Sequence, residues 1–151
     1  MQNLSLLVLF GCLVILSSCS SNDDVVFCPP LSAPPEGARA FVVTDKHQQI
    51  VDVRLNGVTA QCTAEASGDV LMEVKTGLKL TRNLAENAES DIAVVPMMTA
   101  ILDADDQVVS NESFGYKTGF AIDLERLLPV VEFELVVPYG GRAVISLTPT
   151  R

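Results

Sequence analysis

From Ala38 onward apolar residues recur at every second position, the period of a β-strand with one covered face. The clearest run is Val70 to Thr81. There Val70, Met72, Val74, Thr76, Leu78 and Leu80 share one face, while Leu71, Glu73, Lys75, Gly77, Lys79 and Thr81 share the other. This predicts a half-buried antiparallel strand with one wet side. Shorter stretches behave alike: Ala38 to Val43, Ile50 to Leu55, Val58 to Thr63, Gln107 to Ser113, Gly115 to Asp123, Val130 to Val137 and Ala143 to Leu147. Asn56-Gly57, between Leu55 and Val58, predicts a hairpin, because a type I′ turn needs positive φ at both positions. Thr44-Asp45-Lys46-His47, Ser67-Gly68-Asp69, Asp103 to Asp106 and Pro138-Tyr139-Gly140-Gly141 are further turn signals. Arg82 to Asp91 is a polar connection with room for a helical turn around Leu84-Ala85-Glu86, and Leu124 to Leu128 suits a brief helical crossing stopped by Pro129. Seven to nine short strands with regular turns predict an all-β fold, a β-sandwich of immunoglobulin or fibronectin-III type. The chain has no Trp, so the antibody version with its Cys–Trp–Cys core is not expected.

Ile92 to Leu102 breaks the pattern, because both of its faces are apolar. One explanation is a central strand covered on both sides. The other is an exposed apolar stripe that docks a partner or ligand. Pro96, in mid-run, favours an edge or bulge position and so the second explanation. The candidate partner-binding surface is the second face of this stretch, with Val95, Met97 and Ile101 foremost.

The N-terminus has its own pattern. Leu4 to Leu16 is apolar except for Ser5, Gly11 and Cys12. It is short of the about 20 residues of a membrane span and nearer the length of a signal-peptide core. Leu16-Ser17-Ser18-Cys19 ends it, and such a triplet before a cysteine looks like the lipobox of bacterial lipoproteins. The resemblance implies cleavage before Cys19 and acylation of that cysteine, giving a membrane anchor through lipid. Ser20 after the cysteine favours the outer over the inner membrane. The expected organisation is a signal peptide over 1–18, a lipidated cysteine and Pro-rich tether over 19–37, and a β-sandwich domain over 38–151. Met1 to Leu7 lacks the Lys or Arg usual at the start of such signals.

Charge narrows the partners. The net charge of −9 lies wholly after Cys19, which excludes nucleic acid as the expected ligand. Asp23 and Asp24 likewise oppose docking on anionic headgroups. With Cys12 in the signal and Cys19 as the lipid site, Cys28 and Cys62 remain. An even pair in an exported domain predicts a disulfide.

Catalytic signals are weak. His47 is the one histidine and sits in a polar turn, with no nucleophile signature to accompany it. Gly140-Gly141 lacks the lysine and helix of a phosphate loop. Asp103, Asp105 and Asp106 suggest a calcium loop until position six, which is Val108 and not glycine. Glu132 and Glu134 alternate with core residues and read as a wet sheet face. The sequence implies no cofactor and no metal, and an enzyme is not expected.

The lipobox, the acidic linker into Cys28-Pro29, the second cysteine at a strand end (Cys62), the strand from Asp91 to Leu102, the Asp-containing turn and the strand start at Phe114 together resemble a family of small, uncharacterised alphaproteobacterial lipoproteins. The resemblance implies an envelope lipoprotein with a β-sandwich head and assigns no catalytic residue. The expected role is a non-catalytic binding or scaffold module, docking another envelope protein at the periplasmic face. The alternative is a periplasmic carrier or chaperone that holds an apolar ligand such as lipid, in a cavity lined by Met72, Met97, Met98 and Phe133.

Overall fold

The structure, a computed structural model, describes residues 26–84 and 88–148. Its elements are β1 (Leu31–Ser32), a 3₁₀ turn (Pro35–Gly37), β2 (Arg39–Val43), β3 (Ile50–Ala64), β4 (Val70–Arg82), β5 (Asp91–Leu102), β6 (Val108–Phe120), β7 (Arg126–Leu127), β8 (Val130–Val137) and β9 (Arg142–Leu147). One sheet runs β2-β3-β4, with β7 and β8 both beside β4; the other runs β1-β9-β5-β6. The alternation produces the expected β-sandwich. Each sheet turns one row of apolar side chains inward, where they fill a common interior. Val42, Val53, Leu78 and Leu80 of the first sheet meet Val95, Met97, Ile145 and Leu147 of the second. Cys62, Met72, Val74 and Val137 continue the core toward the other end with Ile101 and Ala143.

The chain changes sheets between β1 and β2, β4 and β5, β6 and β7, and β8 and β9. Because β8 lies beside β4 and β9 beside β5, these crossings interlock the layers. Every pairing is antiparallel except β1 with β9, where Leu31 faces Ala143. The segment 31–37, expected in the tether, therefore belongs to the sandwich. Its prolines flank a two-residue edge strand, which loses no ladder bond by them.

Three local expectations are corrected. Asn56-Gly57 is not a hairpin but a bulge within one 15-residue strand, β3. Leu55 opposes Leu78 and Val58 opposes Thr76, so two residues face the single Gly77. Gly57 takes φ +96, and a Cβ on Gly77 would come within 2.6 Å of the Asn56 carbonyl oxygen. Gln107 to Ser113 and Gly115 to Asp123 are likewise one strand, β6, paired with β5 along its length. Leu124 to Leu128 holds no helical turn: after Leu124 N–H closes a turn onto the Ala121 carbonyl, Arg126–Leu127 forms β7, with Leu127 opposite Leu80. The turn expected around Leu84-Ala85-Glu86 lies largely outside the described residues.

Two buried charged side chains close one end of the sandwich. Asp91, at the start of β5, accepts N–H groups of Lys46 (3.0 Å), His47 (2.8 Å) and Ile92 (2.7 Å). Burial pushes its carboxyl up, but the Thr44 hydroxyl and the three N–H donors outweigh that and hold it well below the usual carboxylate range. The same corner carries a Thr44–Ala93 bridge and a hydrogen bond from Asp45 N–H to the Ile92 carbonyl, 2.8 Å. Arg82, the last residue of β4, is equally buried. Its guanidinium donates to the carbonyls of Leu124 (2.9 Å), Glu89 (2.9 Å) and Ala121 (2.6 Å) and to Gln49 Oε1 (3.0 Å), and lies 4.9 Å from the Phe120 ring centre.

Candidate functional site

Cys28 and Cys62 form the expected disulfide, with Cα atoms 5.3 Å apart. Val26 N–H adds a hydrogen bond to the Cys62 carbonyl, 3.3 Å. The lead-in is thus fixed at the end of β3 where that strand leaves the bulge behind. Cys19 lies outside the described residues.

The surface expected on β5 is corrected. Val95 and Met97 have no exposed area and Ile101 is 8% exposed. All three point between the sheets, so none is available to a partner. The reason is register: Asp91, Ala93, Val95, Met97, Thr99 and Ile101 form the buried row. The solvent row of β5 is Val94, Pro96, Met98 and Ala100, beside Ser113 and Gly115 of β6 and Ser146 of β9. Pro96 is not at an edge. Its carbonyl accepts the Thr148 N–H at 3.1 Å on the β9 side, so its missing N–H also faces that side and costs the β6 ladder nothing.

Of the four side chains expected to line a carrier cavity, Met72, Met97 and Phe133 face the interior, but as packed core. Met72 and Met97 are fully buried, and the Phe133 ring lies 5.3 Å from that of Phe114, tilted by 55°, between the layers. Met98 is on the opposite face of β5 from Met97.

The polar candidates have local partners. Asp103 Oδ1 accepts the N–H groups of Asp105 and Gln107, both at 2.9 Å, and builds the β5–β6 turn. Asp106 pairs with Arg142 at 3.0 Å. His47 Nε2 lies 3.1 Å from Glu89 Oε2 at the surface. Glu132 pairs with Lys75 at 3.0 Å on the wet face of β4 and β8.

That outer face, of the sheet containing β3 and β4, carries an arrangement the sequence did not announce. Arg39, Arg54 and Lys79 stand directly opposite one another on three adjacent strands. The next row holds Phe41, Asp52, Thr81 and Arg126 in the same order across four strands. Asp52 bridges two of the cations, with Arg39 Nε at 2.8 Å and Arg54 Nη2 at 2.9 Å. The hydrogen bond from Arg39 lowers the Asp52 carboxyl, against burial, with Arg54 adding to it; Asp52 in turn raises Arg39. Among the described residues Lys79 and Arg126 form no ion pair. They border a depression of about 210 Å³ with Asp52, Arg54 and Thr81. At the other end of the same face Glu73 stands opposite Glu134, near Gln61 and the disulfide.

Like charges directly opposite across strands are destabilising. Four cations gathered around a carboxylate that pairs with only two of them, on a chain of net charge −9, are therefore a local departure of the kind found where a surface binds something. Lys79 was visible as a solvent position of β4. Its neighbours were not, because cross-strand register decides them.

No protein-family model, no curated protein and no solved structure matches this chain.

Proposed function

We propose that the chain is a lipid-anchored module of the bacterial envelope, held through Cys19 at the periplasmic face, at the outer rather than the inner membrane. It acts without catalysis, by binding another envelope protein. The observation that carries this reading is the Cys28–Cys62 disulfide. Such bonds persist in oxidising compartments outside the cytosol. Here the bond also fixes the lead-in from the anchor at one end of the sandwich, which leaves both outer sheet faces open to a partner. The apolar run into Leu16-Ser17-Ser18-Cys19 and the resemblance to small lipoproteins support the same placement. The packing of Met72, Met97 and Phe133 into the core, with Met98 on the other face of β5, favours a docking module over a carrier.

The test is intact-mass analysis of the full chain expressed in a bacterium, with fractionation. A membrane-bound form that begins at Cys19 and carries acyl chains, together with a soluble Cys19→Ala form, is the expected result. A chain that keeps residues 1–18, or is released unacylated, overturns the anchor. For binding, a photoreactive residue at Val94 or Thr81, both on outer faces, replaces any probe in the buried row. A discrete protein adduct is expected; adducts to lipid alone would transfer the reading to a carrier.

A further inference from the structure

We propose that the cationic row Arg39–Arg54–Lys79, completed by Arg126, is a binding site for an acidic peptide segment of a protein partner. One carboxylate sits in the depression between Lys79 and Arg126, and neighbouring apolar side chains lie over Phe41, Val43 and Ile50. The inference deepens the binding-module reading and rests on it for the partner being a protein.

The chemistry follows from the donors. Asp52 engages Arg39 through both Nε and Nη2, at 2.8 and 2.9 Å, so a carboxylate is already the group this row accepts. That engagement leaves Lys79 and Arg126 to a second one. The depression they border also offers the Thr81 hydroxyl and is about 210 Å³, a scale suited to one acidic side chain and not to a polymer of phosphates. On the other side of Asp52 the surface becomes apolar. Val43 stands opposite Ile50 in the row beyond Phe41, and these three side chains are between 46% and 66% exposed, with the Arg39 guanidinium already over the Phe41 ring, 4.6 Å from its centre. A segment crossing the strands would therefore meet charge first and apolar surface next. Acidic residues interspersed with apolar ones complement both.

Two other occupants fit less well. The net charge of −9 repels nucleic acid and anionic lipid as wholes. A second copy could lay its Glu73–Glu134 end on this row, but only with its strands antiparallel to the first. The disulfides, and with them the two lead-ins, would then point in opposite directions. A partner of different sequence has no such constraint. Position favours one as well: Asp52 and Cys62 are ten residues apart on β3, roughly 30 Å, so the row faces away from the anchored end.

The test uses the full chain in detergent micelles and a short fluorescent peptide alternating glutamate with leucine. Anisotropy gives affinity, and amide NMR shifts give location. The expected result is saturable binding, shifts at Arg54, Lys79, Thr81 and Arg126, and weakening with added salt. Lys79→Gln with Arg126→Gln should weaken binding about tenfold, two exposed pairs at about 0.7 kcal/mol each. Both side chains lie on the outer face, so the double variant keeps its core. Lys117→Gln, on the opposite sheet, should change nothing. Absence of binding, or binding unaffected by the double variant, overturns the proposal. So does equal binding of the peptide with glutamine for glutamate, preference for inorganic polyphosphate or phosphatidylglycerol vesicles, or self-association that buries the row. Peptide binding is measurable whether or not Cys19 carries lipid, so this failure and failure of the anchor are distinct.

Discussion

The carboxylate of Asp91 accepts the backbone N–H of His47 at 2.8 Å, a contact that ties the start of β5 in one sheet to the β2–β3 turn of the other. Because this carboxyl is held below its ordinary range, its contribution to stability is full above the unfolded value near 3.8. It is lost progressively as pH falls below that value. Asp91→Asn should lower stability at neutral pH by about 2 kcal/mol and flatten the acid limb. Denaturant titrations at several pH values check it, and an unchanged acid limb would exclude Asp91 as its source.

Arg82 organises the carbonyls of the 121–124 loop from inside the sandwich. Removing it strands those acceptors. Arg82→Ala should cost about 3 kcal/mol or more. Arg82→Lys should recover only a part, since one ammonium cannot span acceptors that a planar guanidinium reaches on three nitrogens. Urea midpoints of the two variants decide between this and a simple loss of volume.

The disulfide closes a sequence separation of 34 residues. Replacing both cysteines with serine should cost about 3–4 kcal/mol on the chain-entropy account. Thermal or chemical melting under oxidising and reducing conditions measures it. The double variant should no longer respond to reductant.

Val94 and Val95 are neighbours in sequence and opposites in environment, 45% and 0% exposed. Val95→Asp places an unpaired carboxylate between the sheets and should cost about 4 kcal/mol or more. Val94→Asp should cost about 1 kcal/mol or less. Expression and melting of the pair give a direct reading of which row of β5 faces the core.

Asn56 and Gly57 supply one residue more than a regular ladder needs opposite Gly77. Deleting Gly57 should leave Val51, Val53, Val58 and Cys62 facing as they do now, at a cost on the order of 1 kcal/mol. Gly77→Ala in the intact chain should cost about 1–3 kcal/mol by pressing on the Asn56 carbonyl. A deletion that unfolds the protein would contradict the bulge.

The same pair shows where sequence reasoning reaches its limit. A two-residue hairpin and a one-residue bulge both leave Leu55 and Val58 on one side, so local pattern cannot separate them. The decision comes from β4, whose 13 residues pair with both halves of β3. Where one face was clearly polar, as in Val70 to Thr81 and Val130 to Val137, the strands and their inward rows were legible. Ile92 to Leu102 was not, because apolar residues on both faces give no phase. The disulfide followed from counting cysteines. The cationic row could not be foreseen, since Arg39, Arg54, Lys79 and Arg126 are far apart in sequence and meet only through register.

The disulfide also sets the path of mechanical load. A pull on the N-terminal side of the domain meets Cys28 before it meets β1. The covalent bond diverts that tension to Cys62, within a strand paired to β4 from Val51 to Ala64. The two-residue β1–β9 contact, which would peel apart pair by pair, is thereby spared. The long β3–β4 ladder takes up the force instead, with its many hydrogen bonds sharing the load.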